Sequence, residues 1–334
     1  MKRKLIFGLV GLAFLLIGVL SASWLVSFST SPTAKEGPSK IVLIKKGTGI
    51  TSLAGQLAAE GLIGSRDLFV VLVGLTGQRG KIKAGEYELS PTMSPWQILE
   101  ILVLGKVFIH RVTIPEGFTA RQIGLRLARE GLVSEKAFMS KVNDAAYAAS
   151  LGMPGPTLEG YLFPDTYNLT RSQTEDDILK LMTDRFKKTF ARYQAGKPPA
   201  NLTLRQAVIL ASIIEKETGQ SDEKPRVASV FTNRLVRDMP LQSDPTVIYG
   251  LDDYDGHLTK RQLTSDTPYN TYTRKGLPPT PIANPGQSSL EAVFFPAKGQ
   301  DLYFVSKNDG THYFSRTLQE HNQAVITYQK NRGE

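Results

Sequence analysis

Residues 211–219 read Ala-Ser-Ile-Ile-Glu-Lys-Glu-Thr-Gly, and their apolar spacing predicts the last turns of a helix. At about 100° per residue, Glu217 falls between Leu210 and Ile214 on the most apolar side of that helix. Gly219 predicts the end of the helix, which puts Glu217 in the last turn, where the helix macrodipole is negative. Burial and the dipole both favour a protonated carboxyl, the form that a general acid requires.

Two other interpretations of this stretch remain open. An acid in the last turn of a helix is usually solvated or half of a salt bridge, and Lys216 and Arg205 are the basic residues near Glu217 on this helix. Glu215, two residues earlier, falls on a different and less apolar side of the helix and is the alternative acid.

The segment 5–26 predicts a membrane-spanning helix. It has 22 residues and no charge, and about 20 apolar residues are needed to cross a bilayer. Basic residues at 2–4 favour a cytoplasmic N-terminus. A cleaved signal peptide is the alternative, with residues 21–23 as its cleavage site. Because the apolar run continues through Trp24 to Val26, we favour a retained anchor, and either interpretation exports the rest of the chain.

Composition narrows the class of partner. The 334 residues carry a net charge of +9 and contain no cysteine, so folding depends on packing and not on disulfides. For an exported, anchored chain, anionic lipid headgroups or an anionic wall polymer are better partners than nucleic acid, and no nucleic acid is predicted. We predict an anchor at 1–28, a linker at 29–40 and about 300 further residues, enough for two or three domains.

A repeat with an offset of 70 residues follows the linker. Residues 42–47 match 112–117, and residues 59–63 match 129–133. Each copy predicts a strand, a helix that ends at a glycine and a second helix, and the first copy adds a returning strand. The first copy, 41–108, resembles a LysM-like βααβ module, a class that binds the N-acetylglucosamine backbone of peptidoglycan. The second, 109–156, predicts a related small α/β unit or connector. The alternative is that both copies serve only as structural spacers.

The remaining residues, 157–334, predict an α+β domain. Thr174 and Thr203 open helices with capping boxes, and Ser221 or Asp222 is expected to cap a third helix. Residues 302–315 predict a β-hairpin and 317–330 a final helix. Loops 241–250 and 267–272 are rich in amide, hydroxyl and aromatic groups, which suit sugars but also make ordinary turns.

Several ordered stretches carry a family resemblance: 159–167, 211–218, 227–235, 241–250, 268–273, 276–279 and the hairpin around Tyr303. They resemble the YceG-like (MltG) family of endolytic murein transglycosylases. The resemblance implies a single-pass inner-membrane lyase with its catalytic domain in the periplasm. It implies non-hydrolytic cleavage of the MurNAc–GlcNAc bond in nascent glycan strands, which leaves 1,6-anhydro-MurNAc ends and terminates elongation. It also implies a peptidoglycan synthase as partner.

By resemblance, Glu217 is the catalytic acid. The pair Glu217-Thr218 is similar to the Glu-Ser pair of other lytic transglycosylases. The predicted substrate contacts are Ser243, Asp244, Tyr269, Asn270 and Asn233. We predict no metal and no cofactor, because the four histidines show no paired spacing and there is no glycine-rich phosphate loop.

Two alternatives to a lytic transglycosylase remain. A muramidase would hydrolyse the same bond and would need a second carboxylate, for which Asp165 and Asp244 are the candidates, although we interpret them as structural or hydroxyl-binding. A non-catalytic peptidoglycan-binding scaffold would use only the repeated units.

Overall fold

The computed structural model describes residues 2–193, 198–251 and 253–330. Helices and three two-stranded sheets form two compact units, which confirms a mixed helix and sheet fold. The first unit comprises Met1–His110 with Asn168–Ser172, and the second comprises Arg111–Tyr167 with Gln173–Glu334. The five-segment division made from the sequence is finer than this and remains a proposal; its last four residues, 331–334, lie outside the described part.

The N-terminal helix α1 extends over Lys2–Thr30. Its segment Leu9–Thr30 has 22 residues, a mean hydropathy of 2.4 and no fully buried residue, and α1 is long and apolar enough to cross a membrane. The helix continues two residues into the predicted linker. Near its C-terminal end, Leu25 and Phe28 pack against the core of the first unit.

The rest of the first unit has the predicted βααβ order followed by one more helix: β1 Lys40–Ile44, α2 Ile50–Ala59, α3 Arg66–Leu75, β2 Gly85–Leu89 and α4 Pro95–Leu104. Strands β1 and β2 are antiparallel, with Lys40 opposite Leu89. Leu57, Phe69 and Tyr87 are fully buried between the strands and the helices. The LysM-like character of this unit as a glycan binder stays a prediction.

The repeat is visible in the backbone. Its second copy contains β3 His110–Thr113, α5 Ala120–Arg129, α6 Glu135–Val142 and α7 Ala145–Ser150. Gly61 after α2 and Gly131 after α5 have φ of 73° and 66°, the left-handed conformation that glycine adopts without strain. The next N–H, of Leu62 or Leu132, donates back to the carbonyl five residues earlier, as expected for a glycine-terminated helix.

The remaining elements belong to the second unit, except that the last two residues of β4 are assigned to the first unit. They are β4 Thr166–Leu169, α8 Glu175–Phe190, α9 Leu204–Glu217, α10 Lys224–Val236, α11 Asp244–Tyr249, α12 Lys260–Thr264, α13 Gln287–Phe294, β5 Tyr303–Ser306, β6 His312–Ser315 and α14 Leu318–Val325, which continues as a π-helix over Ile326–Lys330. Strands β3 and β4 pair, and β5 and β6 form the predicted antiparallel hairpin. Thr174 and Thr203 make the predicted capping boxes.

Helix α9 is the buried centre of this unit and packs against α10, α11 and α13. Every residue from Ala207 to Ile214 is buried. The helix ends at Glu217 because Thr218 is extended, with φ −141° and ψ 134°. Glu217 therefore lies in the last turn, as predicted, and Gly219 follows the capping residue. The prediction for the start of α10 was wrong. Glu223 occupies the N-cap position without a side-chain cap, because its carboxylate is engaged elsewhere.

Candidate active site

Glu217 lines a cleft of about 510 Å³ in the second unit. One wall contains the end of α9, Arg234 of α10 and residues that follow α10. The other wall is formed by the β5–β6 hairpin and α14. The lining residues are Glu217, Arg234, Leu241, Gln242, Asp244, Tyr272, Tyr303, Phe304, Val305, Ser306, His312, Leu318, His321, Asn322, Val325 and Gln329.

The carboxyl of Glu217 is held by Ser243, whose hydroxyl donates a short hydrogen bond to Oε1. Ser243 is buried, and its backbone N–H donates to Oγ1 of Thr271 at 3.0 Å. Thr271 in turn shares a hydrogen bond of 2.8 Å with Thr246. The predicted contact Ser243 therefore lies beside the predicted acid, in a position fixed by two further hydroxyl groups.

The pKa of Glu217 is raised to about 7, chiefly by burial and in part by the negative charge of Asp244. The hydrogen bond from Ser243 and the positive charge of Arg234 act in the opposite direction. Burial is the largest of these effects, so a substantial fraction of the carboxyl is protonated near neutral pH. The position at the negative end of α9 favours the same form. This arrangement meets the requirement for a general acid.

Asp244, also predicted as a substrate contact, lines the cleft and accepts a 2.6 Å hydrogen bond from the hydroxyl of Tyr272. Burial and this bond raise the pKa of the Tyr272 hydroxyl, which therefore stays protonated. Sequence reasoning included Tyr272 only as part of an aromatic loop. Nothing local distinguishes it from Tyr269, three residues earlier.

Arg234 is a cleft residue that sequence reasoning missed. Its Nε donates to the carbonyl of Leu302 at 2.6 Å, and one terminal nitrogen donates to the carbonyl of Leu241 at 2.8 Å. The guanidinium lies 5.1 Å from the ring centroid of Tyr303. A signal was present, because Arg234 falls three residues after the buried Phe231 on the inward face of α10. A charged residue on such a stripe indicates a specific partner.

The structure does not bring Asn270 or Tyr269 into the cleft. Asn270 is fully buried, its amide donates to backbone carbonyls, including that of Ser265 at 2.7 Å, and its carbonyl accepts the N–H of Tyr272 at 2.9 Å. Tyr269 shares a 2.8 Å hydrogen bond with Thr280. These contacts favour a structural role, in which Asn270 shapes the loop that presents Tyr272 to the cleft, and substrate contact by Asn270 and Tyr269 stays a prediction.

Asn233 also lies outside the cleft lining. Its side-chain amide donates to the carbonyls of Gly299 at 3.1 Å and Asp301 at 3.0 Å. These bonds anchor the segment that leads into β5. The side-chain amide of Asn233 is therefore bonded to the fold, and its role as a substrate contact stays a prediction.

Glu215, the alternative acid, is an ionic centre of the fold. Its side chain is 7% exposed and lies 3.1 Å from the ammonium of Lys224, itself 3% exposed. The same carboxylate accepts from the hydroxyl of Ser289 at 2.6 Å and from the N–H of Gly286 at 2.9 Å. This carboxylate joins α9, α10 and the start of α13. Because the carboxylate of Glu215 is already bound by these three groups, Glu217 is favoured as the acid.

Another carboxyl with a raised pKa lies outside the cleft lining. Burial raises the pKa of Glu159 to about 7, against the lowering effect of its hydrogen bonds. Glu159 accepts from the N–H of Ala120 at 3.0 Å, the amide of Asn284 at 3.0 Å and the hydroxyl of Tyr249 at 3.2 Å. These contacts make it a structural acceptor that joins three segments. A raised pKa alone therefore does not identify a catalytic group.

An α+β protein with a polar cleft, and with one carboxyl kept protonated there at the end of a buried helix, belongs to the class of acid–base enzymes. The family model described as "YceG-like family" matches residues 42–327. The chain belongs to this family.

Three known proteins that are similar to this chain over most of its length support this assignment. An endolytic murein transglycosylase of Bacillus subtilis is 32% identical over 320 residues, covering 91% of this chain and 89% of that protein. One of Streptococcus pneumoniae is 30% identical over 280 residues, covering 74% of this chain and 51% of that longer protein. The crystal structure of a YceG-like protein from Listeria monocytogenes is 34% identical, with a TM-score of 0.59, and covers 87% of this chain and 100% of that one.

Proposed function

We propose that this lytic transglycosylase of the YceG-like family cleaves the MurNAc–GlcNAc bond within glycan strands of peptidoglycan, with Glu217 as its single acid and base. The observation that carries the proposal is the carboxyl of Glu217, which lies in a polar cleft and has a pKa raised to about 7. The names of the relatives supply the substrate class.

In the first step, protonated Glu217 donates its proton to the glycosidic oxygen. The bond between that oxygen and C1 of the muramic sugar breaks, and an oxocarbenium-like centre forms at C1. Arg234 provides a nearby positive charge that stabilises the carboxylate left on Glu217, and Ser243 donates a hydrogen bond to it.

In the second step, the carboxylate of Glu217 removes the proton from the C6 hydroxyl of the same sugar. The C6 oxygen bonds to C1 and closes the 1,6-anhydro ring, and Glu217 is protonated again. No water enters the reaction, and one carboxyl serves in both steps. The negative charge of Asp244 is placed to favour the positive centre that forms between these steps.

A muramidase is the second candidate, and a specific observation favours it. Asp244 lines the same cleft as Glu217, so a second carboxylate is available. A hydrolase would need that carboxylate to activate water or to attack C1. The hydrogen bond that Asp244 accepts from Tyr272 occupies one of its two carboxylate oxygens and favours the first candidate.

We further propose that α1 is a single-pass anchor with a cytoplasmic N-terminus, and that the two compact units face the periplasmic side of the inner membrane. The length and apolar character of α1 and the basic residues at 2–4 support this orientation. An anchored enzyme meets glycan strands where they leave the membrane, which suits termination of nascent strands alongside a synthase.

Mass spectrometry of digested glycan strands tests the reaction. The proposal expects 1,6-anhydro ends from the wild-type protein, whereas hydrolysis would leave reducing ends that are heavier by one water. Glu217→Gln is expected to lower cleavage by at least about a thousandfold while circular dichroism stays unchanged, because the variant cannot donate or accept the proton. Wild-type activity in that variant would refute the assignment.

A further inference from the structure

One carboxylate connects the end of the catalytic helix to the opposite wall of the cleft. Oε1 of Glu223 accepts the backbone N–H of His312 at 2.8 Å, and Oε2 lies 2.7 Å from Nδ1 of the same residue. Oγ1 of Thr218, the residue after Glu217, lies 3.5 Å from Oε2. Glu223 therefore fixes the position of His312 relative to the proposed acid.

These contacts also fix the orientation of the imidazole ring. Because a carboxylate only accepts hydrogen bonds, Nδ1 of His312 carries the proton that it donates to Glu223. Nε2 is on the opposite side of the ring, and among the described residues it has no hydrogen-bond partner. His312 lines the cleft, and its side chain keeps 13% of its surface exposed. One nitrogen is thus held by the protein, and the other is available to a ligand.

We propose that His312 is a substrate-binding residue, whose Nε2 accepts a hydrogen bond from a hydroxyl or N-acetyl amide group of the glycan strand bound opposite Glu217. This inference rests on the proposed function and extends the glycan site to the wall formed by β5, β6 and α14. Sequence reasoning placed all the substrate contacts elsewhere. With Nδ1 bonded to Glu223, Nε2 is the ring atom that can accept from the O–H and N–H donors of N-acetylated sugars.

A second histidine–carboxylate pair lies outside the cleft lining. In the first unit, Nε2 of His110 lies 2.6 Å from Oε2 of the buried Glu86, and Arg171 lies 2.8 Å from Oε1. This pair is a structural ion-pair cluster. It offers a matched control, because replacing His110 disturbs a histidine–carboxylate contact of similar length at a site unrelated to the cleft.

Two substitutions at position 312 separate substrate binding from a structural role. Asn places an N–H near the position of Nδ1, so His312→Asn keeps the bond to Glu223 and loses the group at Nε2. Gln reaches the position of Nε2, so His312→Gln keeps a polar group in the cleft and loses the bond to Glu223. Binding of purified glycan strands is measured in the Glu217→Gln background, and KM and kcat are measured in the otherwise wild-type protein.

The proposal expects His312→Asn to weaken strand binding and raise KM by about tenfold, the loss of one hydrogen bond, with kcat within about twofold and an unchanged melting temperature. His312→Gln is expected to bind more tightly than His312→Asn, and His110→Asn, which loses the contact of Nε2 with Glu86, to bind as the unsubstituted protein does. Wild-type binding by His312→Asn, or weakened binding by His312→Gln alone, would overturn the proposal.

If His312→Asn proves unstable, the comparison of His312→Gln with His312→Ala decides: tighter binding by the Gln variant supports the proposal, and equal binding overturns it. Failure of the proposed function is distinguishable. In that case the wild-type protein releases no 1,6-anhydro ends, whereas failure of the inference alone leaves those products unchanged and affects only the expected differences among the position-312 variants.

Discussion

At the scale of single residues, Glu215 and Glu217 show how two carboxyls in one helical turn acquire different chemistry. Glu217 faces the cleft, where burial and the charge of Asp244 favour its neutral form. Glu215 faces Lys224 and the start of α13, where a buried cation and two further donors bind its carboxylate. The partners of each side chain, and not the residue type, decide its role.

The first prediction concerns the ion pair of Glu215 and Lys224. Glu215→Gln should lower the free energy of unfolding by about 3 kcal/mol, because it leaves the ammonium of Lys224 buried with only the half-exposed Glu116, 3.9 Å away, as its counter-charge. Urea denaturation measures the change, with Glu130→Gln at an exposed position as the control. Adding Lys224→Met should recover part of the loss. Activity per folded molecule should exceed that of Glu217→Gln, and the opposite order would make Glu215 the acid.

The second prediction concerns the pH dependence of the reaction. Free Glu217 must be protonated to act as the acid, so kcat/KM should fall tenfold per pH unit as pH rises above about 7. Initial rates on glycan strands from pH 5 to 9 give the profile. A falling limb near pH 4.5, the ordinary value for glutamate, would contradict the role of burial.

The third prediction tests the contribution of Asp244 to that pKa. Its negative charge raises the pKa of Glu217, so Asp244→Asn should move the falling limb to lower pH. The pH at which kcat/KM begins to fall reports the effect of the Asp244 charge on the pKa of Glu217, even if the substitution also changes the maximal rate. Tyr272→Phe is the matched control, because it removes the hydrogen bond to Asp244 and keeps the charge. An unmoved limb in Asp244→Asn would show that Asp244 does not act electrostatically on Glu217.

At the scale of secondary-structure elements, buried carboxylates join segments that are distant in sequence. Glu159 is the clearest case, since it accepts hydrogen bonds from the N-terminus of α5, from the end of α11 and from the loop before α13. Glu223 connects the end of α9 to β6 in the same way. Such contacts fix the relative positions of elements that the hydrophobic core alone would leave free to shift.

The fourth prediction follows from Glu159. Glu159→Ala should lower the free energy of unfolding by about 3 kcal/mol, because the N–H of Ala120 and the amide of Asn284 lose a buried acceptor. Hydrogen exchange should show faster opening at the start of α5. Glu130→Ala, at the exposed end of the same helix, is the control. Equal stability of the two variants would mean that other groups or water satisfy these donors.

Local signals predicted the elements well, and long-range contacts account for the errors. The capping boxes at Thr174 and Thr203 depend on residues three positions apart, so the sequence displays them directly. The partners of Arg234 include the carbonyl of Leu302, 68 residues away, and no local pattern reveals such a pair. Asn270 has the composition expected of a sugar contact, but composition does not tell whether an amide faces a cleft or its own loop.

At the scale of the whole molecule, the N-terminal helix is more than a tether. Leu25 and Phe28 of α1 pack against the core of the first unit, and the hydroxyl of Thr33 donates to the carbonyls of Gly61 and Pro91. The proposed anchor therefore continues into the folded unit without an intervening flexible joint. The sequence indicated the apolar helix but not this packing, because an uninterrupted apolar run conceals which residues face protein.

The fifth prediction separates these two roles of α1 by truncation. A chain lacking residues 1–24 should leave the membrane fraction without detergent and keep the stability of the first unit, because Leu25 and Phe28 remain. A chain lacking residues 1–30 should also be soluble, but its first unit should be less stable by about 1–3 kcal/mol, since two partly buried side chains are lost. Hydrogen exchange resolves the two units, and the second unit is the internal control.

Leu25→Ala with Phe28→Ala in the shorter truncation should reproduce the loss, whereas Ser23→Ala in the full chain should not. Equal stability of the two truncated chains would show that the end of α1 contributes nothing to the first unit.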